Sequence, residues 1–269
     1  MSEQVFEERW IPVTDLTVDE RVQRDHLDLR KITRFKKNYN PAAMGVITVS
    51  QRNAATLIIV DGQHRVQVVK ELTDAKGEVL CHVFKKLTLA EEAQMFLDLN
   101  AGTQPSLLDK FKVRLTAGDE TAVNVDALVK SYGWQIKAGS AAGLIQCVGA
   151  VTRIYTRSQD REEEPNGLQI AILAVTRAWG NSDQAAVQAS ILEGIGALHS
   201  EYGDRLDTSA LIQKLKRYKG GPQGLHTDAA TLAAVNRVPL SMAVADRLVE
   251  EYNKGRQSKA LHRWGRRRA

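Results

Sequence analysis

The sequence predicts an α+β chain in which a mixed α/β domain precedes a mainly α-helical region. Up to about residue 107, segments with strand patterns alternate with segments of helical spacing, and beyond that point apolar residues recur mostly every three or four positions. The chain has 269 residues, of which 43% are hydrophobic and 26% charged. A chain of this length and composition can bury a full core, in one large domain or two modest ones.

The first elements combine strands and helices. The segment ERWIPVTDL predicts a short strand followed by a loop, and HLDLRKITRFKKNYNP has Leu27, Ile32 and Phe35 near helical spacing. The segment GVITVSQRNAATLIIVDG predicts strands at residues 46–50 and 57–60, joined by a polar turn around Arg52 and Asn53. A mixed sheet with helices packed against it is the simplest arrangement of these elements.

A helix, a strand and a second helix complete the α/β part. The segment from residue 62 to residue 72 predicts a helix that buries Val66, Val69 and Leu72. The strand VLCHVFKKL follows a turn at residues 74–77. In TLAEEAQMFLDLNAG, Thr88 precedes acidic residues, which predicts a capped helix start.

The rest of the chain reads as a series of helices. Apolar spacing and Gly-rich or polar ends predict helices in LLDKFKVRLTAG, ETAVNVDALVKSYG, LIQCVGAVTRIYTR, LQIAILAVTRAWG, AAVQASILEGIGALHSEYG, TSALIQKLKRYKGG and SMAVADRLVEEYNKG. Residues 158–167, SQDREEEPNG, are expected to form an exposed loop. Pro239 at a helix start fits either a helix-turn-helix or an ordinary helix start.

The positive charge of the chain is concentrated at its C-terminal end. The formal net charge is +5, and residues 253–269 hold seven basic residues and no acidic one. The remainder is therefore slightly acidic, and the tail dominates the basic character. No segment is long and apolar enough to span a bilayer, and the N-terminus lacks a signal-peptide pattern, so we expect a cytoplasmic protein without a membrane partner. Cys81 and Cys147 predict neither a disulfide framework nor a zinc site.

The segment LIIVDGQHRVQVVKEL, residues 57–72, is the most informative part of the sequence. A buried strand runs through Asp61-Gly62 into a helix, the general layout by which α/β proteins hold phosphates. His64 and Arg65 at a helix start are unfavourable next to the positive end of the helix dipole unless an anion is bound there. The alternative is that Asp61 caps the helix while His64 and Arg65 are solvated surface residues.

Residues 61–65, Asp-Gly-Gln-His-Arg, resemble the signature motif of the ParB/sulfiredoxin superfamily, which is G-E-R-R in ParB proteins and G-C-H-R in sulfiredoxin. The resemblance extends to Val22-Gln23-Arg24, at the place of an upstream P-R box, and to Leu99-Asn100, at the place of an E-N box. It covers residues 8–115. Proteins with the D-G-Q-H-R form are similar to a branch common in phage genomes.

The resemblance implies a nucleoside triphosphate, CTP or ATP, with Mg²⁺ as the ligand. The implied nucleotide-binding residues are Arg24, Gly62, Gln63, His64, Arg65 and Gln104. Asn100 is implied to help position the metal ion. Few protein ligands are expected for Mg²⁺, because substrate phosphates complete its octahedral shell.

Two departures from the family motifs bear on catalysis. Gln63 stands at the position of sulfiredoxin's catalytic cysteine, which excludes the thiol chemistry of that enzyme. Leu99 replaces the glutamate of ParB proteins near the metal, which puts nucleotide hydrolysis in doubt. Asp61 and Asp98 are the candidate catalytic carboxylates in its place.

The tail predicts a nucleic-acid contact, because cations neutralise phosphates and an aromatic ring stacks on a base. The candidate residues are Lys254, Arg256, Lys259, Arg263, Trp264, Arg266, Arg267 and Arg268. A disordered solubilising extension is the alternative. A second basic run, Lys214, Lys216, Arg217 and Lys219, fits either nucleic-acid binding or an ordinary helix end.

These observations together predict three parts: residues 8–115 as a ParB/sulfiredoxin-like domain, 116–252 as an α-helical region and 253–269 as a basic tail. The expected function is nucleotide-regulated DNA binding, with a homodimer as one expected assembly. The alternatives are a phosphotransferase, an NTPase or a nuclease of the same superfamily, or a DNA-binding, repressor-like protein that needs no nucleotide. The absence of several convergent carboxylates argues against a two-metal nuclease.

Overall fold

The structure, a computed structural model, describes residues 6–23, 27–100, 106–256 and 259–262. The chain divides into two compact units, Met1–Glu120 and Thr121–Ala269. The first unit has mixed α/β structure and the second is mainly helical, which confirms the predicted α+β class.

A five-stranded mixed sheet forms the centre of the first unit. Its strands are β1 (Phe6–Pro12), β2 (Leu16–Thr17), β3 (Ile47–Asn53), β4 (Thr56–Asp61) and β5 (Glu78–Lys85). They lie in the order β1-β5-β3-β4-β2. The β1/β5 and β3/β4 pairs are antiparallel, whereas the β3/β5 and β2/β4 pairs are parallel. Strand β1 therefore lies at one edge of the sheet.

Helices cover both faces of this sheet. They are α1 (Leu29–Lys37), α2 (Gln63–Leu72), α3 (Leu89–Leu99) and α4 (Leu107–Thr116). On one face, Val66 and Val69 of α2 pack into a core with Ile47, Ile59 and other strand residues. On the other face, α3 and α4 form a second core, which contains Val22, Val60, Ala93, Phe96 and Val113.

Local capping explains where two of these helices begin. The Thr88 hydroxyl accepts a hydrogen bond from the Glu91 N–H, and the Glu91 carboxylate accepts one from the Thr88 N–H, so the predicted start of α3 is a complete capping box. The Asp28 carboxylate caps α1 by accepting hydrogen bonds from the N–H groups of Arg30 and Lys31. Because α1 packs against α2, this cap also positions residues beside the start of α2.

Three buried or half-buried charges link the sheet to α3 and to the loop that follows β2. The Arg52 guanidinium donates from Nε to Glu92 Oε1 at 2.8 Å and from Nη1 to Asp19 Oδ2 at 2.8 Å. The Glu92 side chain is fully buried. The sequence predicts Arg52 and Asn53 in a polar turn, but both belong to β3, and the turn to β4 lies at residues 54–55.

The second unit is a set of helices with one very small parallel sheet. The helices are α5 (Glu120–Ser131), α6 (Val148–Asp160), α7 (Gly167–Trp179), α8 (Ala189–Tyr202), α9 (Thr208–Lys216), α10 (Gly221–Asn236) and α11 (Leu240–Asn253). Strands β6 (Gln135–Ile136) and β7 (Leu144–Ile145) pair in parallel. Helices α7 and α8 bury many residues, among them Leu168, Ile172, Ile191, Leu192 and Ile195.

Several details differ from the sequence prediction. Helix α10 was not predicted, because its first turn contains glycine and proline and its apolar spacing is weak. Leu72 is 45% exposed rather than buried. Helix α6 extends to Asp160, so the expected loop at 158–167 is shorter, and Ser158 is buried. None of the described helices has the length and apolar character that crossing a membrane requires.

Candidate functional site

A cavity of about 230 Å³ opens where β4 ends and α2 begins. The motif residues Asp61, Gly62, Gln63, His64 and Arg65 form one side of it. The other residues that line it are Gln23, Lys31, Phe35, Phe96 and Asn100. The predicted motif is therefore joined in one cavity by side chains from the segment before α1, from α1 and from α3.

Gly62 allows the chain to turn from β4 into α2. Its φ is +101°, a conformation that side-chain-bearing residues rarely adopt. A Cβ atom at this position would lie 2.5 Å from Ile47 Cδ1 and 3.1 Å from Arg65 Nη2. Glycine is therefore needed here both for the backbone conformation and for the close approach of its neighbours.

The start of α2 has an electropositive character that no side chain in its first turn offsets. Gly62 is the N-cap residue and has no side-chain cap, and the first turn contains no acidic residue. Backbone N–H groups in the first turn of a helix have no acceptor within the helix. Asp61 does not cap α2, so the alternative in which it does is not what the structure shows.

Arg65 connects the motif to the beginning of β3. Its Nη1 donates to the carbonyl oxygens of Met44 at 2.8 Å and Val46 at 3.1 Å, and its Nη2 donates to Asp61 Oδ2 at 2.7 Å. A Cβ at Gly45 would lie 3.0 Å from Arg65 Nη1. The guanidinium is thus seated in a space that two glycines leave open, and it is not a solvated surface group.

His64 is tied to the start of α1. Its Nε2 accepts a hydrogen bond from the Asp28 N–H at 3.0 Å. Hydrogen bonds from the backbone N–H groups of Lys31 and Arg30 lower the pKa of the Asp28 carboxyl, and the nearby charge of Lys31 acts in the same direction. The motif histidine and the α1 cap therefore form one connected unit beside the cavity.

Three amides in the cavity wall have distinct environments. Gln23 is buried and donates from Nε2 to the Ile59 carbonyl at 3.0 Å, so it anchors the end of β4. Asn100, also buried, donates from Nδ2 to the Phe96 carbonyl at 2.9 Å. The Oε1 atom of Gln63 is buried and has no hydrogen-bond partner among the described residues.

Helix α1 contributes two cavity residues that the motif did not reveal. Lys31 lies in the first turn of α1 and forms no ion pair with any described residue, and Phe35 follows one turn later. The sequence predicts Phe35 as part of an apolar helix face, but its side chain is 36% exposed and borders the cavity. Only the packing of α1 against α2 brings these residues to the motif.

The two candidate catalytic carboxylates lie in different places. Asp61 lines the cavity and contacts Arg65. Asp98 is exposed on α3, where its Oδ1 accepts a hydrogen bond from Gln94 Nε2 at 2.9 Å, and it does not line the cavity. Within the described ranges, no three His, Cys, Asp or Glu side chains are grouped so that they could hold a metal ion.

Neither cysteine is among the residues that line the cavity. Arg24 and Gln104 lie outside the described residues. Burial raises the pKa of the Cys81 thiol to about 11, and that of Cys147 to about 11. Both cysteines are free. Neither thiol is therefore activated as a nucleophile at neutral pH.

The C-terminal segment, as far as it is described, is bound to the second unit. The Asn253 side chain donates to the Leu261 carbonyl at 2.9 Å and accepts from the Leu261 N–H at 2.8 Å. Leu261 is buried, and the Tyr202 hydroxyl donates to the His262 carbonyl at 2.7 Å. The described part of the predicted tail therefore contacts the rest of the unit through Leu261 and His262.

The predicted nucleic-acid residues of this segment have different surroundings. Arg256 is 3.3 Å from Asp207 and lies over the Tyr252 ring, whereas Lys259 is exposed. Lys254 is paired with Glu251 at 2.5 Å. The other predicted residues, Arg263, Trp264, Arg266, Arg267 and Arg268, lie outside the described residues.

The structure brings the two basic runs together. Lys214 Nζ donates to the Lys254 carbonyl at 2.6 Å, so the end of α9 adjoins the start of the C-terminal segment. We call the surface formed by Lys214, Lys216, Arg217, Lys219 and Lys254 the basic patch. Of these, Lys216, Arg217 and Lys219 are exposed and form no ion pair with any described residue.

Comparison with known proteins identifies a family to which the sequence is similar. The search of curated proteins finds no match. Residues 18–224, well over half of the chain, match DUF6551, a family of unknown function. The matched segment includes the motif, α1 to α3 and the greater part of the helical unit. The chain belongs to the DUF6551 family.

Proposed function

We propose that this protein binds a nucleoside triphosphate, CTP or ATP, in the cavity at the start of α2, and that the nucleotide regulates its binding to DNA. The observation that carries the proposal is the glycine-capped start of α2, which opens into a cavity that also contains Lys31. A helix start with unsatisfied N–H groups and a nearby cation is suited to phosphate groups.

The charges around the cavity support an anionic ligand. Lys31 and Arg65 are cationic cavity residues, and Asp61 is the one carboxylate among the described residues that line the cavity. Arg65 has five N–H donors, and its contacts to Met44, Val46 and Asp61 use three of them. The Lys31 ammonium, in contrast, forms no ion pair with another described side chain. In this proposal its role is therefore to bind a phosphate group and not to stabilise the fold.

Aromatic residues support a nucleotide rather than inorganic phosphate. Phe35 and Phe96 line the same cavity as the cations, and Phe35 is partly exposed. An exposed aromatic ring can stack on a nucleobase. In this proposal the phosphates lie at the start of α2 and the base lies against Phe35.

A Mg²⁺ ion would accompany the phosphates. Asp61 and Asn100 both line the cavity, and carboxylate and amide oxygens are the ligand types that Mg²⁺ accepts. This sparse set fits a metal that is held mainly by substrate phosphates and water. Mg²⁺ would neutralise phosphate charge, while the protein residues orient the nucleotide.

The basic patch supports DNA as the partner. It consists of cations at and just after the end of α9, where Lys214 contacts the segment that precedes the arginine-rich residues 263–269 in the sequence. Clustered cations bind DNA through its phosphates, and their contribution weakens as salt increases.

The nucleotide part of the proposal is tested by calorimetric titration of ATP, CTP and GTP with Mg²⁺. We expect saturable binding of CTP or ATP, which Lys31→Ala weakens about ten-fold by removing one charge-assisted contact. Lys37→Ala is the matched control, since Lys37 is an exposed lysine on the same helix that does not line the cavity. The proposal is wrong if no nucleotide binds, or if both variants bind as the wild type does.

A phosphotransferase or NTPase is a second candidate function, which the position of Asp61 in the cavity favours. Under this alternative, the chain releases phosphate steadily from ATP or CTP, and Asp61→Asn abolishes the release. Asp98→Asn, outside the cavity, retains it. Nucleotide binding without phosphate release would favour the regulatory function.

A further inference from the structure

A second cavity, of about 340 Å³, lies in the first unit and has a different chemical character from the motif cavity. Its lining includes Trp10 of the edge strand, Tyr39, Met44, Val79 and the carboxylate-bearing Glu78. None of the described residues that line it is Lys, Arg or His. The motif cavity thus has a cationic lining, whereas this second cavity combines aromatic and apolar side chains with one acid.

Trp10 is unusual among the described tryptophans. The indole N–H of Trp134 donates to Thr176 Oγ1 at 2.8 Å, and that of Trp179 donates to the Leu215 carbonyl at 3.0 Å. Trp10 is 63% exposed, and its indole N–H has no partner among the described residues. Large exposed aromatic rings beside an apolar cavity are typical of binding surfaces.

Glu78 determines which kind of group fits the cavity. Glu78 is exposed, and its carboxylate forms no ion pair or hydrogen bond with any described residue. Aromatic rings together with a carboxylate attract an organic cation, because the ring faces have a negative electrostatic potential and the carboxylate is negatively charged. A side chain with a long apolar stem and a cationic end matches the apolar wall and the acid at the same time.

The edge position of β1 indicates how such a side chain would arrive. Strand β1 has β5 as its one neighbour in the sheet, so its outer edge carries no strand from the described part of the chain. Extended peptides bind such edges through main-chain hydrogen bonds, while their side chains enter adjacent pockets. Trp10 lies on this edge strand and lines the cavity, which joins the two features.

We propose that the cavity beside Trp10 is a docking site for an extended segment of a partner protein, which adds to the β1 edge and places an arginine side chain against Trp10 and Glu78. This site is separate from the nucleotide cavity and does not depend on the function proposed for it. Residues 44–46 line this second cavity, and Arg65, which lines the motif cavity, binds the carbonyls of Met44 and Val46 in the absence of any peptide. The docking site is therefore formed before any peptide binds.

The probe is a dye-labelled acetyl-Thr-Val-Arg-Val-Thr-amide peptide, which has strand-forming residues on either side of one arginine. Its matched control contains citrulline, which has nearly the shape of arginine without its charge. Fluorescence anisotropy with the full chain measures both affinities. We expect saturable binding of the arginine peptide and about five-fold weaker binding of the citrulline peptide.

Protein variants assign the binding to this cavity. Glu78→Gln should weaken the arginine peptide about five-fold and should bring its affinity to that of the citrulline peptide. Trp10→Ala should abolish measurable binding, with circular dichroism to check that the chain is folded. Glu20→Gln is the matched control, because Glu20 is another exposed glutamate of this unit that does not line the cavity.

The proposal is wrong if the arginine peptide shows no saturable binding, if the citrulline peptide binds equally well, or if Glu78→Gln leaves the binding unchanged. Titration with unlabelled N-acetyl-arginine methylamide, as a competitor, distinguishes a peptide site from a site for a free cation. We expect it to compete at least ten-fold more weakly than the peptide, since it lacks most of the main-chain contacts. Equal competition would contradict docking along the β1 edge.

Discussion

Nη2 of Arg65 lies 2.7 Å from the carboxylate of Asp61, four residues earlier at the end of β4, while its Nη1 donates to the Met44 and Val46 carbonyls. The arginine of the motif therefore has a structural role before any ligand arrives. A phosphate at the start of α2 can use the donors that remain, or compete with Asp61 for the guanidinium. Loss of nucleotide binding in an Arg65 variant is for this reason less informative than loss in a Lys31 variant.

Arg65→Lys should reduce the stability of the protein without any nucleotide. A lysine ammonium cannot reproduce the planar fork that reaches two carbonyls and a carboxylate, so we expect a loss of about 1–3 kcal/mol in the free energy of unfolding. Urea unfolding measures the loss. Arg30→Lys, at an exposed position of α1, should change the value by less than about 0.5 kcal/mol. Equal values for the two variants would show that the Arg65 contacts are not structural.

Gly62→Ala should be more destabilising than an alanine at another glycine with positive φ. Gly62 and Gly118 have φ values of +101° and +77°, but a Cβ at Gly118 would meet no atom within 4 Å. The comparison therefore separates backbone strain, common to both, from the clash with Ile47. We expect Gly118→Ala to cost about 1 kcal/mol and Gly62→Ala at least twice as much. Similar losses in urea unfolding would argue against close packing at the start of α2.

Asp19 should make the stability depend on pH. A hydrogen bond from the Arg21 side chain, then one from the Arg21 N–H and one from Arg52, hold the pKa of the Asp19 carboxyl well below its usual range. Because the folded-state pKa is the lower one, the ionised carboxylate adds its full stability above the unfolded pKa of about 4 and loses it as the pH falls further. Asp19→Asn should therefore destabilise by about 1 kcal/mol at pH 7.

Urea unfolding of the wild type and Asp19→Asn at several pH values between 7 and 2.5 checks this dependence. The difference between the two proteins should be constant down to about pH 5 and should shrink below about pH 4. Glu20→Gln is the control, since this exposed carboxylate has no ion pair with a described residue. A difference that is independent of pH would mean that the charge of Asp19 does not stabilise the fold.

The basic patch should contribute to DNA affinity through electrostatics. Replacing Arg217 and Lys219 together by alanine should weaken binding to a mixed-sequence duplex and should make the slope of log K against log salt shallower by about 1–2. The control replaces Lys137 and Arg157, two exposed cations of the same unit that lie outside the patch. Equal slopes for the two double variants would exclude the patch from the DNA contact.

The sequence predicts the local part of the site well. The strand–glycine–helix pattern of residues 57–72 is encoded by neighbouring residues: β-branched and apolar residues in β4, a glycine at the turn and apolar spacing in α2. The predicted Thr88 cap is likewise confirmed. It could be predicted because the residues that form it lie within four positions of each other. Signals of this kind do not depend on the rest of the fold.

The rest of the site depends on packing between segments that are distant in the chain. Lys31 and Phe35 lie in the cavity because α1 packs against α2, and nothing in their own segment indicates this. The contacts of Arg65 to Met44 and Val46 span about twenty residues, and they change the interpretation of the motif arginine. Helix α10 was missed because its glycine-rich start and weak apolar spacing resemble a loop.

The most direct test of the central claim measures DNA affinity with and without nucleotide in the wild type, Lys31→Ala and Lys37→Ala. Anisotropy of a labelled duplex at fixed salt, with Mg²⁺ and increasing concentrations of CTP or ATP up to saturation, gives the coupling between the two ligands. We predict that one nucleotide changes the DNA affinity of the wild type and Lys37→Ala at least five-fold, and that Lys31→Ala requires a higher nucleotide concentration for the same change. A DNA affinity that no nucleotide alters in the wild type would contradict the account.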